Sequence, residues 1–451
     1  MATALIVLAA GMGTRMNSDL PKVMHQVAGA PLFAHALASG AALSPDRVVL
    51  VVGHGAELVE ATAKEIDPEI SIAVQVEQLG TGHAVQQARA ALDGFGGDVF
   101  VLYGDTPFIR PETLETMAAA RTQGADVVVL GFDAADPGRY GRLIVVDGAL
   151  DRIVEFKDAS ADERAVTLCN SGVIAADAGL LFDLLDGVGN DNASGEYYLP
   201  DIVSVARARG LTASVVTCDE AETLGINSRA ELADAEDVFQ TRARDAALED
   251  GVTLIARDTV YFAYDTVIGR DSVIEPNVVF GPGVTVESGA LIRAFSHLEG
   301  CHVSRGAVVG PYARLRPGAE LANDAKVGNF VEIKNAQIEE GAKINHLSYV
   351  GDARVGKHAN IGAGTITCNY DGVSKHHTNI GARTFIGSNT CLVAPVSVGD
   401  EAMTATGTVV TKNVPAGAMA VGRAKMEVKP GLALKLFEKL KAAKARRQKG
   451  S

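Results

Sequence analysis

From residue 267 to 414 one aliphatic side chain returns every six positions, usually followed by Gly or another small or acidic residue. Ile268, Ile274, Phe280 and Val286 set the rhythm. After a slip near Gly300 it resumes at Val303, Val309, Leu315, Leu321, Val327 and Ile333. It slips again beside Ile338 and Val355, then runs Ile380, Ile386, Leu392, Val398, Thr404 and Val410. Six residues are too few for a helical repeat and too regular for ordinary hairpins, so each hexad is expected to be one short strand and a turn. Three hexads then close one triangular coil. A strand alternates its side chains between faces, so one aliphatic residue per hexad points inward and stacks on its equivalent in the next coil, about 4.8 Å away. The period by itself fits a purely structural solenoid as well as an enzyme.

Such blocks resemble the left-handed parallel β-helix of hexapeptide-repeat proteins, many of which are trimeric acyltransferases; the handedness comes with the resemblance. The informative residues break the rhythm. A scaffold hexad has no need of cations or a histidine near its turns, yet Arg314, Arg316, Lys334, His346 and Tyr349 fall within a few coils. Residues 367–379 fit no hexad, and a loop thrust out of a regular solenoid is where a binding site is expected. Within that loop His376 and His377 are read as solvated.

The preceding half, residues 1–227, has another texture. Apolar runs at 5–8, 48–52, 99–103 and 127–130 alternate with helical stretches around 31–40, 83–92 and 111–123. This is the pattern of a Rossmann-like α/β domain with a largely parallel sheet, whose ligands gather at the carboxyl ends of the strands. The first strand end reads Leu8-Ala9-Ala10-Gly11-Met12-Gly13-Thr14-Arg15-Met16, with Pro21-Lys22 after it. Its glycines let backbone N–H groups approach an anion, and Arg15 and Lys22 can neutralise phosphate oxygens. Met16 stands where a dinucleotide fingerprint needs a third Gly, and the Walker pattern also fails. What remains is phosphate binding of another kind.

That stretch resembles the signature of the sugar-1-phosphate nucleotidylyltransferases. Gln75 with the segment through Gly80, Thr81, Gly82 and His83 resembles the uracil-selecting segment of uridylyltransferases. Tyr103-Gly104-Asp105 resembles the strand end whose Asp holds Mg²⁺. Tyr140-Gly141-Arg142, Glu155, Asn170-Ser171-Gly172 and Gly225-Ile226-Asn227 match the sugar and second metal-ligand positions. In the second half, Leu315-Arg316-Pro317-Gly318-Ala319, the run from Val327 to Lys334, His346-Leu347-Ser348-Tyr349 and the run from Asn360 to Gly372 resemble the bacterial bifunctional N-acetylglucosamine-1-phosphate uridylyltransferase/glucosamine-1-phosphate N-acetyltransferases. This resemblance covers essentially the whole chain except its extreme tail. Met12 stands where members often carry Lys, and Thr406 where Ala is common.

The resemblance implies two reactions. Acetyl-CoA would acetylate glucosamine-1-phosphate, with His346 as the base, Arg316, Lys334, Tyr349, Asn360 and Lys375 on the sugar phosphate, Asn369 and Tyr370 near the acetyl group, and Ser388, Thr406 and Arg423 on coenzyme A. UTP would then transfer its uridylyl group, with Leu8, Ala9, Ala10, Gly11, Lys22, Gln75, Gly80, Thr81, Tyr103, Gly104, Asp105, Gly141, Glu155, Asn170 and Asn227 around nucleotide and sugar. Mg²⁺ would sit on Asp105 and Asn227, and Arg15 and Lys22 would neutralise the phosphates. The product, UDP-N-acetylglucosamine, would feed bacterial peptidoglycan and outer-membrane lipid.

Residues 228–250, rich in helix formers and free of Pro, are expected as a helical linker. The solenoid acetyltransferase domain would then occupy 251–425 and a basic tail 426–451, whose stretch from Lys435 to Lys449 carries seven Lys or Arg. The net charge of −14 argues against a general nucleic-acid binder. Five cysteines without CxxC spacing fit a reducing cytoplasm better than a disulfide scaffold or a zinc site. The apolar opening at residues 2–11 is too short to span a bilayer and is read as a buried first strand, so no membrane partner is expected. A homotrimer is expected from the three flat faces of the solenoid.

Overall fold

The computed structural model describes residues 2–448; the last residues of the basic tail, 449–451, lie outside the described residues. The chain divides into two compact units, the first built from residues 1–246 with 262–264, the second from 247–261 and the remainder.

In the first unit, seven strands form the spine of a nine-stranded sheet. Their order is Ala213–Cys218, Val127–Asp133, Leu168–Asp177, Asp98–Tyr103, Thr3–Ala9, Arg47–Val52 and Ser71–Val74. Thr3–Ala9 is buried and central, paired in parallel with Arg47–Val52 on one side and Asp98–Tyr103 on the other. The sheet is mixed, because Leu168–Asp177 runs antiparallel to both of its neighbours. Helices Leu32–Ala41, Thr81–Gln87 and Pro111–Thr122 occupy the three expected helical stretches. Apolar side chains on both faces of the sheet make two cores, one around Ile6, Val101 and Leu199 and the other around Leu5, Phe33 and Phe100. The ends of Thr3–Ala9 and Asp98–Tyr103 therefore open at one edge, where the glycine loop follows directly.

A long helix, Arg229–Glu249, follows. Its Leu232, Ala235, Val238 and Phe239 pack with Val27, Leu32, Phe108 and Ile226 of the same unit. Gln240 is buried and donates from Nε2 to the Phe262 carbonyl at 2.7 Å.

The second unit is a run of parallel strands stacked as a β-helix, with ten strands on one face and fourteen in the sheet that covers the others. One inward column runs Ile274, Ile292, Val309, Val327, Ile344, Ile361, Ile386 and Thr404, each in register with the next. All are buried. Thr404 is the polar exception, and its hydroxyl is satisfied by the Gly387 N–H at 2.9 Å and Thr390 Oγ1 at 3.0 Å. The slips in the sequence rhythm are coils one residue shorter than three hexads, and the coil between Ile361 and Ile386 is longer because it carries the loop. That loop is narrower than the sequence implies: Thr367 and Cys368 belong to strand Ile366–Cys368, and Thr378 and Asn379 to Thr378–Ile380. The basic tail forms the helix Leu432–Gln448.

Candidate active sites

In the first unit a cavity of about 310 Å³ is lined by Leu8, Ala10, Gly11, Lys22, Gln75, Gln78, Gly80, Thr81, Tyr103, Asp105 and Glu196, among others. Gly13 has φ of 62°, and a Cβ there would lie 2.5 Å from the Lys22 Cβ. Glycine is required for the loop to close over the Lys22 stem. Ala9 is buried beneath the loop, and the Gly104 N–H donates to the Leu8 carbonyl at 2.9 Å. Gln75 is buried and donates from Nε2 to the Gly80 carbonyl at 3.0 Å and to His83 Nδ1 at 3.1 Å. Its Oε1 is left as an acceptor. His83 thus helps to fix the Gln75 amide.

At the end of the central strands the Lys22 ammonium donates to Asp105 Oδ2 and, at 3.0 Å, to Asn227 Oδ1. The Asn227 amide is turned by its own Nδ2, which donates to the Gly225 carbonyl at 3.1 Å. Asp105 caps no helix; its carbonyl accepts from the Ile226 N–H at 3.0 Å, tying the two segments together. Arg15 lies exposed, outside the cavity lining.

A second cavity of about 310 Å³ is lined by Tyr140, Gly141, Glu155, Asn170, Gly172 and Tyr198, and shares Thr81, Tyr103 and Glu196 with the first. An irregularity between Asn170 and Ile174 places Asn170 there, and its N–H donates to the Gly141 carbonyl at 2.8 Å. Gly172 has φ of 91°, and a Cβ would press on the Tyr103 ring at 2.6 Å. Burial, with lesser repulsion from Asp201 and Asp158, pushes the Glu155 carboxyl above the usual carboxylate range. Burial also raises the Tyr103 phenol, against a hydrogen bond with Thr81. Arg142 is buried and holds the Pro137, Tyr140, Gly138 and Arg164 carbonyls, a structural task rather than a ligand contact.

In the second unit His346 ends strand Lys343–His346, and its Nδ1 lies 2.6 Å from Asn329 Oδ1. The two residues are register partners in adjacent coils. Because an amide oxygen can only accept, Nδ1 donates this bond, and in the neutral ring Nε2 is then the basic nitrogen. His346 and Asn329 line a cavity of about 340 Å³ with Arg293, Lys326 and Asn345.

Around the corner, Tyr349 and Lys334 lie on strands that pair in register two residues apart. The Lys334 ammonium pushes the Lys375 ammonium to a lower pKa. Asp352 is buried, accepting from Asn335 Nδ2 at 2.6 Å and Asn369 Nδ2 at 2.5 Å. Asn369 Nδ2 also reaches the Tyr349 hydroxyl at 3.4 Å. The sequence assigns no role to Asp352 or Asn335, nor to Asn329 as the partner of His346. The signal available was the coil length, which puts a residue one coil away directly alongside. Arg316 donates to Glu332 Oε1 at 2.8 Å, and Asn360 pairs in register with Lys343.

The loop is internally tied. Asp371 accepts from the Val373 and Ser374 N–H groups, and His376 Nε2 lies 2.7 Å from its Oδ2. The His376 contact, with those N–H groups, holds the Asp371 carboxyl well below the usual range. His376 is therefore part of the loop's frame, whereas His377 is exposed as expected. Tyr370 is exposed and donates to the Gly372 carbonyl at 2.6 Å. Farther along, Arg423 donates to the Thr406 carbonyl at 3.1 Å, a main-chain contact indifferent to the side chain at 406, and the Ser388 carbonyl accepts from Gly407. None of Lys334, Lys375 and Asn369 lines the cavity beside His346.

Comparison with known proteins defines the class first. Residues 5–169 match the MobA-like NTP transferase domain, 265–300 the bacterial transferase hexapeptide (six repeats), and 377–412 the hexapeptide repeat of succinyl-transferase. An α/β nucleotidyltransferase unit is thus followed by a hexapeptide transferase unit. Over 450 residues the chain is 69% identical to the bifunctional protein GlmU of Ruegeria sp. (strain TM1040), with 100% of each chain covered. It is 66% identical over 451 residues to that of Roseobacter denitrificans, again covering 100% of both, and 64% over 446 residues to that of Jannaschia sp., covering 99% of this chain and 98% of the relative. The chain belongs to the GlmU family of bifunctional proteins. A solved UDP-glucose pyrophosphorylase complexed with UDP-glucose is far more distant, at 18% identity and a TM-score of 0.44 over 54% of this chain and 100% of its own.

Proposed function

We infer that the two units act in sequence on one amino sugar. The chain is a bifunctional enzyme of UDP-N-acetylglucosamine synthesis: it transfers acetyl from acetyl-CoA to glucosamine-1-phosphate, then uridylyl from UTP to N-acetylglucosamine-1-phosphate, releasing pyrophosphate. The observation that carries the two-site reading is that the reactive groups fall into two sets, Lys22 with Asp105 and Asn227 in one unit and His346 with Asn329 in the other.

In the first unit Gln75 Oε1 is the acceptor for a uracil N–H, while Gly11, Gly80 and Thr81 line the path of the nucleotide and Gly141, Glu155 and Asn170 that of the sugar. A phosphate oxygen of the sugar substrate attacks the α-phosphorus of UTP and pyrophosphate leaves. That oxygen is ionised at neutral pH, so positioning and charge neutralisation dominate and no base is needed. Lys22 and Arg15 neutralise the triphosphate. Asp105 and Asn227 would hold Mg²⁺. Their oxygens suit a hard cation, and the ammonium already seated between them supports the fit. When bound, the metal supplies positive charge to the phosphates.

In the second unit the Nε2 lone pair of His346 takes a proton from the substrate amine as its nitrogen attacks the thioester carbonyl; the C–S bond then breaks and coenzyme A leaves as the thiol. Arg316, Lys334 and Lys375 hold the phosphate dianion, whose charge relieves the repulsion between the two lysines. Tyr349 and Asn360 position the sugar, Asn369 and Tyr370 the acetyl group, and Ser388, Thr406 and Arg423 coenzyme A. Lys334 lies beside the coil corner at Asn335, and His346 beside another, at Leu347. A neighbouring subunit in a homotrimer would complete the site there. That corner carries exposed Phe295, Tyr312, Phe330 and Leu347, with ring centroids stacked 4.9 and 5.2 Å apart. The co-substrates and the five free cysteines support a cytoplasmic enzyme.

The test is release of coenzyme A from acetyl-CoA in the presence of glucosamine-1-phosphate. Wild type is expected to release it and His346→Ala to lose activity by about a hundredfold or more. No release from wild type would defeat the acetyl-transfer assignment.

A further inference from the structure

Lys22 has two suitors. In the proposed mechanism it neutralises phosphate, yet in the structure its ammonium is bonded to Asp105 and Asn227, the pair assigned to the metal. The contact is built, not incidental. The lysine and aspartate side chains retain only 12% and 20% of their exposure. Gly13 lets the lysine stem press against the phosphate loop, and Gly225 turns the Asn227 oxygen toward the ammonium. A carboxylate this enclosed is costly to leave without a counter-charge. Lys22 supplies one.

A divalent ion at those two oxygens competes with the ammonium, because two cations at bonding distance from the same atoms repel strongly in a partly desolvated site. We propose that Lys22 is the resident cation of the Asp105–Asn227 site, and that divalent metal enters only by exchange, as Lys22 swings from these oxygens to the nucleotide's phosphates. This rests on the reading that Asp105 and Asn227 hold the metal. Two consequences follow from linkage. Metal binds the nucleotide-free enzyme weakly, because it must first displace a charge-assisted pair. Phosphate and metal promote each other's binding, since each favours the position of Lys22 that the other needs. The enclosed carboxylate is never without a positive partner.

The experiment measures Mn²⁺ binding to the full chain without nucleotide, by the electron paramagnetic resonance signal of the free ion. Lys22→Met is expected to bind Mn²⁺ at least about tenfold more tightly than wild type, the factor a charge-assisted hydrogen bond exerts as a competitor. Arg15→Met, which removes an equal charge from the same loop outside the Asp105–Asn227 pair, is expected to change affinity by less than about threefold. Adding Asp105→Asn to Lys22→Met must abolish the gain. On wild type itself, the lysine ammonium NMR signal missing from Lys22→Met should shift when Mg²⁺ is added. A gain under about threefold for Lys22→Met, or an equal gain for Arg15→Met, or an unmoved ammonium signal would overturn the exchange. A gain that survives Asp105→Asn, or no Mn²⁺ binding by any variant, would instead remove the metal assignment beneath it.

Discussion

Replacing Asn329 by Ala tests whether the acetyl-transfer base is set by its neighbour one coil away. The His346 Nδ1 proton is donated to Asn329 Oδ1 at 2.6 Å, and His346 is otherwise exposed. The bond therefore does two things, fixing the ring's rotamer and keeping the proton off Nε2. A half-exposed neutral hydrogen bond is worth about 1 kcal/mol net, so Asn329→Ala should lower kcat of acetyl transfer about fivefold. KM for both substrates should hold, because Asn329 is assigned no contact with either. Asn329→Asp should keep the acceptor and restore kcat. It should also move the acid limb of the pH–rate profile upward, since a carboxylate beside the ring favours the imidazolium. In a His346→Ala background, Asn329→Ala should cost nothing further. Assays of coenzyme A release across pH read all of this. Unchanged kcat in Asn329→Ala, or a full extra loss on top of His346→Ala, would refute the tautomer argument.

Glu155 gives a prediction in which stability and activity part. Burial raises its folded pKa above the unfolded value of about 4.3, so its contribution to stability is greatest below that value and declines as pH rises through the folded one. Glu155→Gln should therefore raise the midpoint of denaturant unfolding of the first unit at pH 7 relative to wild type and lower uridylyl transfer; a stabilisation that is largest at pH 4 would contradict the sign. The aromatic corner gives another. Wild type should sediment at three times the chain mass of 46.9 kDa, and Tyr312→Asp with Phe330→Asp should yield monomers that lose acetyl transfer and keep uridylyl transfer; a trimer unaffected by both charges would place the subunit interface elsewhere.

What the sequence could disclose was whatever recurs locally. The hexads located the inward column because a short strand leaves one position per turn no choice but burial, and the glycine loop followed directly on the strand Thr3–Ala9. Long-range pairing was hidden. Nothing local marks Leu168–Asp177 as antiparallel, since a strand buried on both faces looks the same in either direction. Phe295, Tyr312, Phe330 and Leu347 all adopt positive φ, a conformation local preference reserves for Gly or Asn, and stacking between coils overrides that preference. Asn329 lies within the run from Val327 to Lys334, but its role depends on register across a coil one residue short. The resident position of Lys22 depends on residues brought together from opposite ends of the first unit.

The measurement that bears most directly on the two-site account is complementation in solution. With glucosamine-1-phosphate, acetyl-CoA and UTP supplied together, His346→Ala alone and Asp105→Asn alone should each fail to form UDP-N-acetylglucosamine, while an equimolar mixture of the two should restore it, because each protein retains the step the other lacks. Product from either variant alone, or none from the mixture of folded proteins, would contradict two separable sites on one chain.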